Sequence, residues 1–235
     1  MKFRPTITIL LSLCIVVLLS PSVTLAEEDG KIKVGAFYDN ENFRNNSRGA
    51  SYYGSYGGVL LGYEKQLDTF WWSTEGRYKY GQLNNESSKV NLAYIEGKGV
   101  VGKTFELSGL TVKPFIGLGL SWAAEDEVGY NDAYTTEYLL PIGLRVERNT
   151  DVGLFGVDLL YNYVLRREVY WTDGDPYWAK RNFGGSYNVE VGLYHEPASL
   201  PMGFRTYFKY EKWQASKIWA SIERQHVGFE TYVKF

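Results

Sequence analysis

The stretch Val112-Lys-Pro-Phe-Ile-Gly-Leu-Gly-Leu-Ser-Trp122 places Val112, Pro114, Ile116, Leu118, Leu120 and Trp122 on one parity. Lys113, Phe115, Gly117, Gly119 and Ser121 fall on the other. Successive strand side chains point to opposite faces, so a period of two over eleven residues predicts a β-strand with one apolar face. The same alternation recurs upstream in Ile32–Tyr38, Tyr56–Tyr63, Trp72–Tyr80 and, more weakly, Val90–Thr104. Downstream it continues through Tyr138–Val146, Phe155–Tyr163, Tyr187–Leu193, Phe204–Tyr210 and Val227–Phe235. Ten strands are therefore expected, with eight as the alternative count, and no segment of helical period competes with them.

The connections alternate in length. Glu64–Thr69, Glu106–Leu110, Glu147–Asp151 and His195–Pro201 are short, whereas Asp39–Ser55, Gly81–Lys89, Ala124–Tyr134, Arg166–Phe183 and Glu211–Lys217 are mostly longer and polar. A meander with short turns at one end and long loops at the other fits a closed, antiparallel, up-and-down transmembrane β-barrel. An even strand number puts both termini at one end.

Ahead of the strands, Lys2 and Arg4 precede the apolar run Ile7–Leu19, then Ser20-Pro21, then Val23-Thr-Leu-Ala26 before Glu27-Glu-Asp29. That order is a secretory signal, expected to be cleaved after Ala26 and to leave residues 27–235 as one barrel domain. Thirteen apolar residues are short for a membrane anchor, and Cys14 lies mid-run, not at a lipoprotein cleavage site. Cys14 is the single cysteine, so the mature chain has no disulfide. Without Lys2 and Arg4, 23 basic residues face 27 acidic ones, a formal charge of −4. That balance excludes a basic nucleic-acid-binding protein. Only one apolar run, Ile7–Leu19, comes near the roughly 20 residues a spanning helix needs, which excludes a helical membrane protein.

What the polar face carries tips the choice of which face points outward. Glu75, Arg77, Lys113, Arg145, Asp158, Glu190 and Arg205 lie at strand centres, too many full charges for a water-soluble core. A membrane barrel accommodates them, because its lumen is polar and its outer face meets hydrocarbon. Aromatics make up 17% of the chain and crowd the strand ends at Tyr52-Tyr53, Phe70-Trp71-Trp72, Trp122, Tyr161, Tyr163, Tyr170-Trp171 and Trp213. They read as interfacial girdles. A soluble sandwich with aromatic strands is the competing reading.

The ending Val227-Gly-Phe229-Glu-Thr231-Tyr-Val233-Lys-Phe235 resembles the C-terminal signature of bacterial outer-membrane β-barrel proteins, with Thr231 less apolar than usual. Lys113-Pro-Phe-Ile-Gly-Leu-Gly-Leu120 is similar to a strand of the small porin-like and opacity-type superfamily. The resemblance implies integral placement in the outer membrane with both termini periplasmic, short periplasmic turns and longer extracellular loops. It also implies recognition of the last strand by the barrel-assembly machinery, and contact with outer-membrane lipid and lipopolysaccharide. No nucleic acid is expected as a partner, and any extracellular ligand is unspecified.

Candidate chemistry is sparse. Glu75, Glu96, Asp158, Glu190 and Glu230 face Arg77, Lys98, Lys113, Arg145, Arg205 and Lys209 across one narrow lumen. Such groups should pair, because an unpaired buried charge loses several kcal/mol of hydration. A narrow water-filled pore lined by them is the alternative, since a barrel near eight strands is just filled by side chains. Asp173 and Asp175 form an acidic pair in an expected outer loop, more simply read as a solvated turn than as a cation contact or a catalytic pair. Ten-stranded outer-membrane proteases resemble this chain in strand number and use an Asp–His couple. Here His195 falls in a short turn, and His226 has no acidic residue two positions away. Neither has a serine placed as a lipid A deacylase requires. Arg44, Arg48, Arg166, Arg167, Lys180 and Arg181 lie in expected outer loops, suited to lipopolysaccharide phosphates. Gly57-Gly58 and Gly184-Gly185 read as close packing or bulges within strands. No cofactor, metal or phosphate-loop motif is present in the sequence. The expectation is a non-enzymatic structural or interaction barrel, with a narrow solute channel as the alternative and a barrel-mouth hydrolase as a remote one.

Overall fold

The computed structural model describes residues 30–45, 50–86, 88–127, 133–173, 175–181, 186–214 and 221–235. The segment 1–29, which contains the expected signal, lies outside them. Twelve strands follow in order: β1 Gly30–Asn45, β2 Ala50–Leu67, β3 Phe70–Asn84, β4 Lys89–Lys103, β5 Phe105–Leu107 and β6 Leu110–Glu127, then β7 Ala133–Thr150, β8 Gly153–Asp173, β9 Asp175–Arg181, β10 Tyr187–Pro197, β11 Met202–Trp213 and β12 Ile222–Lys234. Ten of them form a closed antiparallel circuit, β1-β2-β3-β4-β6-β7-β8-β10-β11-β12, sealed where β12 returns to β1. Short β5 continues β4 to a two-residue turn at Ser108-Gly109, and β9 folds back on the far end of β8. At the seam Ile32 N–H donates to the Phe235 carbonyl and Phe235 N–H to the Ile32 carbonyl, each at 3.0 Å. Both ends of the barrel chain thus lie at the short-turn end, and every strand edge in the circuit is paired, as hydrocarbon demands.

Polarity is inverted relative to a soluble protein over most of the wall. Val59, Leu61, Val101, Ile116, Leu118, Leu120, Ile142, Leu159, Val191, Leu193, Phe208 and Val227 are exposed outward, while charged side chains point in. At roughly 3.4 Å per residue and a tilt of about 40°, Val112 to Trp122 spans about 26 Å along the axis, close to the ~25 Å apolar band of a membrane barrel. A belt this large and continuous needs an apolar surrounding.

The strands run well past that belt at the long-hairpin end, and there the polarity reverses. Outward positions become Asn40, Asn42 and Arg44 on β1, Gln82 and Asn84 on β3, Asn91 on β4 and Gln225 on β12. Inward positions become Phe43, Tyr52, Leu83, Val90, Leu92, Ala123 and Ile222, packed as one apolar cluster. This section is therefore a water-immersed extension with its own small core. The segments Asp39–Ser55, Gly81–Lys89 and Ala124–Tyr134, expected as loops, are mostly strand. The physical reason is the reversal itself: when apolar residues switch parity part-way along a strand, the alternation reads as broken. The weak signal in Val90–Thr104 has the same cause, with Val90, Leu92 and Tyr94 facing in and Ile95 and Val101 facing out.

Candidate functional site

All eleven charged residues expected in the lumen point into it, and they form ion pairs in tiers. Nearest the short-turn end, Glu64 meets Arg145 at 2.7 Å, Lys33 at 3.8 Å and Lys113 at 3.9 Å, and Lys113 reaches Glu147 at 2.8 Å. Arg145 Nε donates to Asp158 at 2.9 Å, linking this tier to the next. At mid-barrel Arg205 contacts Glu190 at 2.5 Å, Glu230 at 3.2 Å and Asp158 at 3.4 Å. Arg77 holds Glu230 at 2.5 Å and Glu75 at 2.7 Å, and Lys98 holds Glu75 at 2.9 Å. Lys209 bridges Glu211 at 2.6 Å and Glu96 at 4.0 Å.

Aromatic rings separate the cations. Arg77 lies 5.7 Å from the Phe37 ring and 5.8 Å from that of Tyr207, and Arg205 lies 5.2 Å from Tyr207. Arg145 packs on Trp71 and Tyr194 at 5.1 and 5.8 Å. These rings fit because a glycine faces each across the sheet: Tyr207 lies over Gly228 and Tyr194 over Gly156, where an added Cβ would stand 2.2 and 2.0 Å from the ring. A ring laid over a glycine fills lumen width where a second side chain would clash. Trp71, Tyr52 and Trp213, read from sequence as girdle residues, in fact face inward; Trp213 packs against Arg167 at 3.6 Å and Arg224 at 4.8 Å. Adjacent bulky residues such as Trp71-Trp72 necessarily point to opposite faces, so only Trp72 faces the belt.

A second cluster was not visible in the sequence. His226 is buried at 1% exposure. Its Nδ1 lies 3.2 Å from Asp39 and 3.5 Å from Glu41, and its Nε2 3.8 Å from Glu211. Lys79 reaches Asp39 at 3.4 Å, and Arg224 pairs with Glu125 at 2.5 Å and Glu41 at 3.5 Å. Asp39 and Glu41 come from β1 across the barrel seam and Glu211 from the neighbouring β11, so a search two positions away misses all three. The apolar cluster of the extension lies beyond this tier, so the imidazole meets charged side chains, not solvent. Among the described residues no His, Cys, Asp and Glu group has the geometry of a metal site. His195 stacks on Phe155 at 4.1 Å near the short-turn end.

Several expected contact residues are placed differently. Arg167, assigned to an outer loop, is buried and bonds Glu137 within the lumen. A bulge causes this: Leu139 pairs with Val164 and Tyr138 with Arg166, so Leu165 and Arg166 both face outward and the next residue turns in. Arg44 is exposed on β1, and Arg166 is exposed beside Glu168. Arg48 and the side chains of Asp173, Asp175, Lys180 and Arg181 lie outside the described residues, as do Gly184 and Gly185. Gly57 and Gly58 are in β2, the first facing outward into open space and the second inward against the Phe37 ring.

Below the mid-barrel tier a cavity of about 80 Å³ remains, bounded by Glu64, Glu75, Arg77, Arg145, Arg205 and Glu230. That is room for a few waters, and it ends at the Arg77–Glu230–Arg205 tier.

Of the expected assembly residues, Val227, Phe229 and Val233 on β12 and Phe235 just past it face outward, and Thr231 shares their parity while being half-buried. Phe235 is 70% exposed, and its backbone, not its ring, closes the seam. Phe235→Ala is therefore expected to leave the melting of detergent-refolded protein close to wild type, the ring contributing at most about 1–3 kcal/mol. It is expected to lower the level of assembled protein in cells several-fold. Normal cellular assembly together with much earlier melting would make the ring structural instead.

No protein-family profile and no curated protein matches the chain. Among solved structures, it is similar to the outer membrane protease OmpT from Escherichia coli at 10% identity and a TM-score of 0.55, covering 88% of this chain and 95% of that one. It is also similar to the translocator domain of the autotransporter NalP from Neisseria meningitidis, at 9% identity and a TM-score of 0.52 over 95% of each chain. Neisserial surface protein A matches more loosely, with a TM-score of 0.43 at 11% identity, over 88% of this chain and all of that one. The neighbours are outer-membrane β-barrels, and this chain shares that fold class: it is a closed ten-stranded antiparallel barrel, with no helix among the described residues.

Proposed function

We propose that this chain is an integral outer-membrane barrel of structural or interaction type, without catalytic activity, whose lumen is closed and whose exterior is its working surface. The observation that carries the reading is the continuity of the filling: ion-pair tiers, rings laid over glycines, and an apolar cluster across the long-hairpin end. In this reading the short-turn end with both termini is periplasmic, the signal is removed after Ala26, and the extension stands at the cell surface. Lipid and lipopolysaccharide surround the belt, and the assembly machinery reads β12. OmpT is a protease on this fold, which makes the buried His226 the group to weigh. Its 1% exposure behind the apolar cluster, among Asp39, Glu41 and Glu211, supports a pairing role.

Planar-bilayer recording tests the closed lumen against the narrow-channel alternative. Purified protein is expected to give a flat baseline without resolved openings. Stable, reproducible unitary openings from the pure protein would overturn the closed-lumen reading and favour a small-solute channel.

A further inference from the structure

We propose that the outer wall of β1–β4, immediately beyond the apolar belt, is a saccharide-binding surface whose occupant is the headgroup sugar of glycolipid packed beside the barrel. This rests on the outer-membrane placement argued above and names a partner for that exterior.

Strand register assembles the surface. Asn40, Ser55, Gln82 and Asn91 stand side by side across four strands, all facing outward. They are prearranged by their own bonds: Ser55 Oγ donates to Asn40 Oδ1 at 2.8 Å, and Gln82 Nε2 donates to Asn91 Oδ1 at 2.9 Å. One step toward the belt the row is Tyr38, Gly57 and Tyr80. The two tyrosines are 51% and 53% exposed, while a Cβ at Gly57 would meet nothing within 4 Å. Their strands are two sheet spacings apart, about 10 Å, so the rings flank an open slot wide enough for one sugar ring. Tyr38 OH donates to Ser55 Oγ at 2.8 Å, which fixes one wall of the slot. One step the other way Tyr53 is exposed between Asn42 and Asn84.

The chemistry selects the ligand class. Every side chain in the slot and the row above it is uncharged. Amides offer both donors and acceptors, matching hydroxyls that do both. A pyranose also turns one face of C–H groups outward, and these positive edges meet the negative face of an aromatic ring. Phosphate would call for cations, but Arg44 and Lys89 stand only at the margins, and Asp126, next to Asn91 across the sheet, is an anion that would repel it. Position selects the source. The slot faces sideways, and Val59, Leu61 and Ile95 of the belt lie directly beneath it. Sugars carried on lipids in the same leaflet are presented to it at millimolar effective concentration, so even weak contacts are occupied.

The test uses full-length protein in detergent micelles offered lipopolysaccharide with a complete core oligosaccharide, or lipid A alone. Native mass spectrometry counts the glycolipid retained per barrel. Wild type is expected to retain the core-bearing form at least fivefold more, and excess free core oligosaccharide is expected to reduce that retention. Gly57→Leu puts an apolar side chain into the slot from a Cβ that meets nothing within 4 Å, and Gln82→Ala removes the central amide. Each is expected to bring the ratio near one while melting stays unchanged. Equal retention by wild type would overturn the proposal, as would a preference that survives both substitutions. Heat-modifiable migration of the same samples reports the barrel itself. Loss of sugar preference in a heat-modifiable protein overturns this inference alone, whereas loss of heat-modifiability overturns the underlying barrel reading and this one with it.

Discussion

Replacing Arg205 with Met is expected to destabilise the barrel by about 3–5 kcal/mol, the usual consequence of removing one partner from a buried ion pair. The arginine contacts three carboxylates, but they do not depend on it equally. Glu230 keeps Arg77 at 2.5 Å and Asp158 keeps Arg145 at 2.9 Å. Glu190, at 2.5 Å from Arg205, has no second ion-pair partner among the described residues. The cost should therefore concentrate on one stranded carboxylate. Adding Glu190→Gln to Arg205→Met is expected to restore most of the loss, because the amide removes the stranded charge while keeping its shape. Thermal unfolding of refolded protein, followed by loss of the compact electrophoretic form, measures both variants. Equal melting of the single and double variants would mean that water, not Arg205, solvates Glu190.

The sequence reveals the wall of this barrel more readily than its contents. Alternation in Val112–Trp122 and Phe155–Tyr163 fixes strands and faces because one face must avoid water and the other must not. The same rule falters where Phe43, Leu83 and Leu92 turn inward, since leaving the membrane reverses which parity is apolar. It falters again at Leu165, where one extra residue flips Arg167 from the surface into the lumen. The mid-barrel charges were legible because each is a full charge on a strand centre. The His226 tier was not, because Asp39 and Glu41 approach it only when β12 closes on β1. Pairings made by closure carry no local signal. The ring-over-glycine contacts are of the same kind: Tyr207 and Gly228 are individually unremarked residues, joined by register alone.

The belt makes a prediction that a water-soluble barrel of identical backbone would not. Leu118 is the most exposed large apolar residue of the belt at 68%, and by the rules for surfaces in water a lysine there should be neutral to within about 0.5 kcal/mol. In hydrocarbon the same change puts an ammonium near the midplane. Leu118 lies midway between Val112 and Trp122, facing Gly99 across the sheet, and the next side chain along that row is Thr74, whose hydroxyl carries no charge to pair with an ammonium. Leu118→Lys is therefore expected to cost about 2–4 kcal/mol in phospholipid bilayers, the depth-dependent penalty of a basic residue on a lipid-facing strand. Asn42→Lys, on the same outer wall but in the extension, is expected to change stability by less than about 0.5 kcal/mol. Chemical unfolding in bilayers compares the two directly. The contrast locates the membrane boundary between the level of Tyr38 and that of Asn42 on β1. A neutral Leu118→Lys would place that face in water, and with it remove the reason for the charged lumen.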